Sequence, residues 1–466
     1  MNFNSEQLYA LQELDKFASY MNPNRKIAVI GGSGTGKTTI ISHFVNTLSN
    51  MKILICAPTH RALNVISSKV TSDSNTIEFN TIHSALGVVP VAREHTQKLE
   101  QKGKPKIAEF DLVIVDESSM LDSAMLDFLT EATVGHTKLI FLGDDRQIPP
   151  VGYNRSLAFD NIDTLELTKV ERTDSYTLNL CTWIRACVDA GYFPTLDDFK
   201  EFECNDADNG VFLFTDYSKF LTLMQSKFKS STVIDENKVI VWRNKTVDAH
   251  ISDIRSVIVP DVDFRWYEGE TIVLYAPLLK LHTIKDYNAA TPHSDGLEDI
   301  IVNNGTEFRI LSSEEIPDLI YPALIDNKDF TIYPQITIKQ RWFTLECVSD
   351  KSTICVRLPV NSSLFTEQVS SLVGILKKNL ASRRNYSSNA WEVFNKRIKQ
   401  CVLQHNHVYA ITCHKSQGQS IDNVFVNVRD IKIAYNMAKT DEERKTAIKL
   451  LYVAVSRAVN RIILFY

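Results

Sequence analysis

One octapeptide near the N-terminus restricts the fold more than any other part of the chain. Residues 31–38 read GGSGTGKT and match the pattern G-x-x-x-x-G-K-[ST]. An apolar run, residues 26–30, precedes this motif, and a stretch with helical periodicity follows it. A loop between strand and helix can wrap its backbone N–H groups around phosphates, and the helix N-terminus adds partial positive charge. The context predicts a phosphate-binding loop rather than the alternative, a glycine-rich turn.

The side chains of this loop predict a site for ATP and Mg²⁺. Lys37 is expected to reach the β- and γ-phosphate oxygens, and Thr38 is expected to ligate Mg²⁺. The other residues of the loop predicted to contact the nucleotide are Gly34, Thr35, Gly36 and Thr39.

A second motif, which is acidic, follows about 80 residues after the phosphate loop. Residues 112–117 read LVIVDE, an apolar strand that ends in two carboxylates. Asp116 is predicted to hold Mg²⁺, usually through water, and Glu117 to accept a proton from the attacking water. Taken alone, such a pair is often a solvated turn. Its position after a phosphate loop favours the functional interpretation.

The order of apolar runs predicts two α/β units. Short β-rich runs alternate with helical stretches through the first 170 residues, which is typical of a parallel sheet with helices on both faces. A polar, basic insertion at 87–109 reads as a projecting hairpin. A second α/β unit begins around strand 238–242 and resumes near residue 406. Between them, 259–405 is predicted to be a barrel-like β module followed by a basic helical stretch.

Charge and cysteine usage limit the partners and the compartment. With 51 Lys+Arg against 56 Asp+Glu, the formal charge is −5, so a nucleic-acid site must be a local groove rather than a whole-molecule field. The eight cysteines form no C-x-x-C pair, which favours reduced thiols in a cytoplasmic protein. The N-terminus lacks the pattern of a signal peptide, and the apolar runs are too short to cross a bilayer, so no membrane partner is expected.

Further motifs resemble a known enzyme family. Residues 143–150 read GDDRQIPP, similar to the G-D-x-x-Q-[LI]-P-P motif of superfamily 1 helicases. Other blocks follow in the order of that family: APTH at 57–60, TIHS at 81–84, LTKVER at 167–172, NKTVD at 244–248, ITCHKSQGQS at 411–420 and YVAVSRA at 452–458. The combination is similar to superfamily 1B, the RecD-like group, and in size and block order to its phage members.

The resemblance implies a domain plan. The fold class is α/β: two RecA-like parallel-sheet domains of a P-loop NTPase, with a small hairpin insertion and a larger β-rich insertion. The first domain spans 1–170 and includes the hairpin at 87–109. The second spans 171–258 and 406–466, and 259–405 forms the inserted domain.

The resemblance also implies roles at the nucleotide. Gln147 is expected to sense the γ-phosphate, and Arg172 and Arg457 to reach it across the cleft, the alternative being surface arginines in ion pairs. Gln7 is expected to read adenine, the alternative being a solvent-facing side chain on the first helix. Gln417 and Gly418 are also expected to contact the nucleotide.

Nucleic-acid contacts are expected at the loops that follow strands. A motor that ignores sequence uses backbone groups, small hydroxyls, local cations and stacking faces. The candidates are Pro58, Thr59, His60, Thr81, His83, Asn244, Lys245, Thr412 and His414; for the histidines, a helix cap or a backbone hydrogen bond is the alternative. The basic run 377–399 is either a DNA-facing surface or a solvated helix face. Leu99 is expected at the exposed hairpin tip as the strand-separating wedge, unless it packs back on its parent domain.

The function implied by this resemblance is an ATP- and Mg²⁺-dependent DNA helicase. It would translocate 5′→3′ on single-stranded DNA and unwind duplex DNA in replication, repair or recombination. The expected partners are single-stranded DNA and a DNA fork, with single-stranded-DNA-binding or replisome proteins as further candidates, and a monomer is expected to suffice. The compartment would be the host cytoplasm if the protein is phage-encoded. Two alternatives stay open: an ATPase clamp that remodels complexes without separating strands, and an RNA helicase.

Overall fold

The fold is mixed α/β and consists of two compact units. The computed structural model describes residues 3–93, 96–101, 103–150, 153, 156–170, 176–205, 209–230, 236–260, 266–285, 300–302, 305–321, 336–360 and 405–466. The larger unit comprises 1–254 and 409–466, and the smaller comprises 255–408. The described cysteines are free thiols. Among the described helices, none combines the length and the apolar composition that a bilayer crossing requires.

The first sheet of the larger unit is entirely parallel. Its strands are β1 (Lys26–Gly31), β2 (Lys52–Ala57), β3 (Thr76–Thr81), β6 (Leu112–Val115), β7 (Lys138–Gly143) and β8 (Asp163–Leu167), in the order β3-β2-β6-β7-β1-β8. Its helices are α1 (Ser5–Ala18), α2 (Lys37–Thr47), α3 (His60–Ser67), α4 (Ile82–Leu86) and α5 (Ser123–Ala132). The predicted βαβ alternation is confirmed. Because the strands are parallel, their carboxyl ends share one edge, where ligands of such sheets bind.

A two-stranded hairpin interrupts this sheet. Strands β4 (Val88–Arg93) and β5 (Thr96–Gln101) pair antiparallel. The ladder pairs Leu99 with Pro90, and its last rung joins Arg93 to Thr96. The expectation that Leu99 lies at the tip is therefore wrong, because Leu99 falls within the ladder, three pairs before its last rung.

The second sheet of the larger unit is built from two separate parts of the chain. Its strands are β9 (Cys204–Asn205), β10 (Gly210–Phe214), β11 (Asn237–Val241), β21 (Ala410–Thr412), β22 (Ile421–Asn427) and β23 (Ala458–Phe465), in the order β21-β11-β22-β23-β10-β9. All pairs are parallel except β9 with β10. Its helices are α6 (Tyr176–Ala190), α7 (Leu196–Lys200), α8 (Tyr217–Ser230), α9 (Asn244–Ile258), α10 (Val428–Met437) and α11 (Asp441–Val455). The second α/β unit thus resumes after an insertion, as the apolar runs predict.

The smaller unit is mainly antiparallel. Its strands are β12 (Thr271–Leu274), β13 (Leu278–Leu279), β14 (Ile300–Val302), β15 (Glu307–Glu315), β16 (Leu319–Tyr321), β17 (Ile336–Ile338), β18 (Gln340–Cys347), β19 (Thr353–Pro359) and β20 (His405–His407). Five of them form one antiparallel sheet, in the order β19-β18-β15-β12-β20. The barrel-like expectation is corrected: over the residues described for this unit the sheet is open, since β19 and β20 form its two edges. The predicted basic helical stretch, including 377–399, lies outside the described residues.

Candidate functional site

The phosphate loop connects β1 to α2 at the carboxyl edge of the first sheet. Lys37 is the first residue of α2, and its ammonium donates to the carbonyl oxygens of Gly31 at 2.6 Å and Gly32 at 3.0 Å. The Thr35 hydroxyl also donates to Gly32, at 3.0 Å, which braces the loop. The Lys37 side chain therefore lies over the loop in which phosphate oxygens would bind.

The backbone of this loop fits an anion. Gly34 and Gly36 have φ values of 79° and 87°, in the left-handed region that glycine adopts without strain. Gly36 is the N-cap of α2 and supplies no side-chain cap, so the first N–H groups of the helix lack the partner that Ser, Thr, Asp or Asn would provide. A phosphate at this position would satisfy them.

Asp116 and Glu117 follow β6 directly. Asp116 Oδ1 accepts the Glu117 N–H at 2.9 Å. The surrounding protein raises the pKa of Asp116, the charge of Glu117 adds to that effect, and the charge of Lys37 opposes it. Glu117 has a φ of 49°, which a residue with a side chain adopts at a cost of about 1–2 kcal/mol. Its Oε2 atom is buried and has no hydrogen-bond partner among the described residues.

These groups fit a magnesium–nucleotide complex. Thr38 lies half-buried in the first turn of α2, and Asp116 supplies carboxylate oxygens, which are the hard ligands that Mg²⁺ prefers. The unpartnered Oε2 of Glu117 is available to a water molecule. Thr39, also predicted to contact the nucleotide, is the next residue of α2 and is exposed.

Gln147 lies in the loop that follows β7. Its side chain is 8% exposed, and its Oε1 atom is buried without a hydrogen-bond partner among the described residues. The next residue, Ile148, accepts a hydrogen bond of 3.2 Å from Gln417 Nε2. Gln417 belongs to the loop after β21, so this bond links the predicted phosphate sensor to the second sheet.

Gln7 supports the phosphate loop. It is 3% exposed, so the solvent-facing alternative is wrong. Its Oε1 accepts the Asn4 N–H at 3.1 Å, which closes a capping box at the start of α1, and its Nε2 donates to Thr35 O at 3.1 Å. A Cβ atom on Gly36 would lie 2.6 Å from Gln7 Nε2. The adenine contact stays a prediction, and the structure adds a supporting role beneath the loop.

The two predicted arginines differ in what the structure shows. Arg457 is buried, and its guanidinium donates to Val453 O at 3.2 Å and to Ser456 Oγ at 2.9 Å, both at the end of α11. Its hydrogen bonds thus lie within its own helix end, and its reach to the γ-phosphate stays a prediction. Arg172 lies outside the described residues.

Two threonines of the first sheet cap helices at its carboxyl edge. Thr59 Oγ1 accepts the Ala62 N–H at 3.2 Å and caps α3, and Thr81 Oγ1 accepts the Ser84 N–H at 3.3 Å and caps α4. Pro58 lies half-buried between β2 and this cap. The side chains of His60 and Leu99 lie outside what the structure describes.

His83 is half-buried in the first turns of α4. Burial lowers the pKa of its imidazole, and the nearby charge of Asp122 opposes that effect. The ring is therefore predominantly neutral at pH 7, and it can donate or accept a hydrogen bond but adds little positive charge.

The predicted contact loops of the two sheets meet at Gly418. This residue has a φ of 71°, and a Cβ atom on it would lie 3.3 Å from Ala62 Cβ and 3.9 Å from Thr59 Oγ1. Thr412, at the end of β21, is 7% exposed, whereas His414 is exposed. The structure therefore brings Thr59 and Gly418 together, although the sequence assigned one to nucleic acid and the other to the nucleotide.

Asp430 belongs to none of the sequence motifs, yet it positions the predicted nucleic-acid contacts Asn244 and Lys245. Its carboxylate accepts hydrogen bonds from Trp242 N at 2.8 Å, Arg243 N at 2.9 Å and Thr246 Oγ1 at 2.7 Å. It also pairs with the Arg243 guanidinium at 2.6 Å. These bonds fix the turn between β11 and α9 that presents Asn244 and Lys245, both exposed, to solvent.

Two segments of the chain match known family models. Residues 17–153 match an AAA domain, and residues 407–465 match the UvrD-like helicase C-terminal domain. The chain is also 28% identical over 453 residues to the ATP-dependent DNA helicase dda of Enterobacteria phage T4, covering 92% of each chain. By these matches the chain is similar to the superfamily 1B helicases.

Further similarities concern the same group. The chain is 25% identical over 431 residues to the RecBCD subunit RecD of Buchnera aphidicola, covering 85% of this chain and 64% of that one. A solved structure of Pif1 helicases at forked duplex DNA matches 99% of this chain and 92% of that chain, at 17% identity and with a TM-score of 0.49. The predicted resemblance to the superfamily 1B helicases is therefore confirmed.

Proposed function

We propose that this protein translocates 5′→3′ along single-stranded DNA and separates the strands of a DNA fork, in replication, repair or recombination. The direction is the one that the resemblance to superfamily 1B implies. One observation supports the hydrolytic half of the proposal most strongly. Glu117 Oε2 and Gln147 Oε1 are both buried and have no hydrogen-bond partner among the described residues, and they lie in loops that follow neighbouring strands beside the phosphate loop. Buried polar atoms are normally satisfied, so a ligand is the expected partner of both.

Nucleotide binding uses groups already in place. The Lys37 ammonium exchanges the carbonyls of Gly31 and Gly32 for phosphate oxygens, and the N–H groups of the first turn of α2 donate to the same phosphates. Thr38 and Asp116 hold Mg²⁺, which offsets phosphate charge when it is bound. Gln7 keeps the loop in position through Thr35.

Hydrolysis requires a base and a positioned water molecule. Glu117 accepts the proton at Oε2, which is buried at the end of β6. Gln147 orients the water or the terminal phosphate through its side-chain amide. Loss of the terminal phosphate changes the contacts of Gln147, and the adjacent bond from Gln417 to Ile148 transmits that change to the second sheet.

Movement along DNA requires the two sheets to open and close around the strand. Thr59 and Gly418 mark where the contact loops of the two sheets approach each other. Asn244, Lys245 and His414 present exposed polar groups for the DNA backbone. The hairpin of β4 and β5 is the proposed strand separator.

We also propose that a monomer is sufficient for activity and that it acts in the host cytoplasm. Its proposed protein partners are single-stranded-DNA-binding or replisome proteins.

Two assays separate this proposal from its alternatives. ATP hydrolysis is measured with single-stranded DNA, single-stranded RNA and no polymer, and strand separation is measured on a forked DNA duplex labelled with a fluorophore and a quencher. The proposal predicts stimulation by DNA and ATP-dependent separation of the fork. Stimulation without separation would favour the clamp, and stimulation by RNA alone would favour the RNA helicase.

A further inference from the structure

Arg185 lies against the phosphate loop, although it belongs to none of the recognised motifs. It is a residue of α6, on the second sheet, and its side chain is 15% exposed. A Cβ atom on Gly32 would lie 3.2 Å from Arg185 Cδ and 3.4 Å from Arg185 Nε. Lys37 donates to the carbonyl of the same glycine. Two cations therefore converge on one residue of the loop.

The guanidinium of Arg185 is held only loosely by carboxylates. Its Nε lies 3.5 Å from Asp144 Oδ1, and its NH2 nitrogen lies 3.6 Å from Asp145 Oδ1 and 3.8 Å from Glu166 Oε1. Charge-assisted hydrogen bonds of this type are normally about 2.7–2.9 Å long. The NH2 nitrogen is buried and has no hydrogen-bond partner among the described residues. Part of the hydrogen-bonding capacity of Arg185 is thus unused.

A neighbouring arginine neutralises the same carboxylates more closely. Arg146 lies 2.6 Å from Asp145 Oδ1, 3.2 Å from Glu166 Oε1 and 3.0 Å from Asp189 Oδ1. These carboxylates would therefore keep a cation if Arg185 turned away. Asp144 would also keep two donors, the Tyr452 hydroxyl at 2.5 Å and the Arg146 N–H at 3.1 Å.

We infer that Arg185 binds the terminal phosphate of the bound nucleotide and thereby distinguishes ATP from ADP. This inference rests on the proposed nucleotide site. A guanidinium forms paired hydrogen bonds with phosphate oxygens, and the loose contacts of Arg185 with Asp144, Asp145 and Glu166 are the ones exchanged. Because Arg185 belongs to α6, this exchange couples the terminal phosphate to the second sheet. Among the described residues, the side-chain hydrogen bonds of Arg457 lie at the end of its own helix.

The test compares nucleotide affinities in the full chain. The equilibrium affinities of fluorescent ADP and of a fluorescent, non-hydrolysable ATP analogue are measured for the wild type, Arg185→Ala, Arg185→Lys and Arg146→Ala. Arg185→Ala should weaken binding of the ATP analogue by about 10- to 100-fold, the worth of a charged hydrogen bond, and change ADP binding little. Arg185→Lys should restore only part of the preference, because an ammonium lacks the planar fork. Arg146→Ala, which removes a cation from the same carboxylates, should keep the wild-type ratio of the two affinities.

Each other outcome overturns the inference. If Arg185→Ala weakens both nucleotides equally, or neither, Arg185 does not read the terminal phosphate. If Arg185→Ala does not fold, Arg185→Lys decides: a wild-type ratio of affinities in that variant rejects the inference. Failure of the proposed function appears differently, as a wild-type protein whose ATP hydrolysis does not respond to DNA, whatever the ratio of affinities.

Discussion

The Tyr452 hydroxyl donates a 2.5 Å hydrogen bond to Asp144 Oδ2, and this bond joins the two parallel sheets of the larger unit. Tyr452 lies on α11, which precedes the last strand of the second sheet, and Asp144 directly follows β7 of the first sheet. Both side chains are 1% exposed. On the same helix, the Lys449 ammonium donates to Asp145 O at 3.0 Å. The loop containing the predicted phosphate sensor is thus fastened directly to a helix of the other sheet.

Tyr452→Phe should lower the thermal unfolding midpoint. The change removes a donor from a buried carboxylate, which costs about 1–3 kcal/mol. Combining it with Asp144→Asn gives a double-mutant cycle, in which the two losses should be smaller together than their sum. Strictly additive losses would show that the hydrogen bond between Tyr452 and Asp144 contributes nothing to stability.

Lys37→Ala and Glu117→Gln should separate nucleotide binding from hydrolysis. Removal of the Lys37 ammonium should abolish both, because the phosphates lose their main cation. Glu117→Gln should bind ATP with near-normal affinity and lose turnover, because an amide cannot accept the proton. Binding is followed with a fluorescent nucleotide and turnover by phosphate release. Wild-type turnover in Glu117→Gln would remove Glu117 from its assigned role.

Glu117→Gly should be more stable than Glu117→Ala, the reverse of the usual order. At a φ of 49°, glycine is unstrained, whereas alanine retains a penalty of about 1–2 kcal/mol. Thermal midpoints of the two variants provide the comparison, and both should lose hydrolysis. A higher midpoint for the alanine variant would show that the left-handed backbone at this position is not a source of strain.

Asp430→Asn should weaken binding of single-stranded DNA while leaving nucleotide binding near normal. The amide retains the shape of the carboxylate but loses the charge that holds Arg243 and the turn before Asn244. We expect the affinity for single-stranded DNA to fall by about 10-fold, which corresponds to roughly 1.4 kcal/mol of binding free energy. Fluorescence anisotropy with a labelled oligonucleotide measures it. The exposed Asp441→Asn serves as the control, and an equal loss in both variants would exclude a specific role for Asp430.

The sequence predicts the strands and the phosphate loop well because both are local signals. Apolar runs bounded by polar residues locate β1, β2, β6 and β7, and the glycine pattern locates the start of α2. The contacts of Asp430 are not predictable in this way, because they join residues 188 apart that share no motif. The contacts of Arg185 with the phosphate loop are not predictable for the same reason.

Other differences reflect pairing that composition does not encode. Leu99 is apolar within a polar segment, which suggested a tip, but the register that pairs it with Pro90 depends on where the chain turns. The smaller unit has enough strands for a barrel, yet closure depends on whether β19 and β20 meet. Gln7 has an amide suited to adenine, and the fold also uses it to close a capping box and to hold Thr35.

Strand separation on tailed duplexes tests the proposed helicase activity and its direction in one measurement. Duplex DNA with a 5′ single-stranded tail, a 3′ tail or no tail is mixed with the protein, ATP and Mg²⁺, and release of the labelled strand is followed over time. We expect release from the 5′-tailed duplex alone, and none with Lys37→Ala. Equal or faster release from the 3′-tailed duplex would contradict the proposed direction, and no release from any duplex, despite ATP hydrolysis stimulated by single-stranded DNA, would contradict the helicase itself.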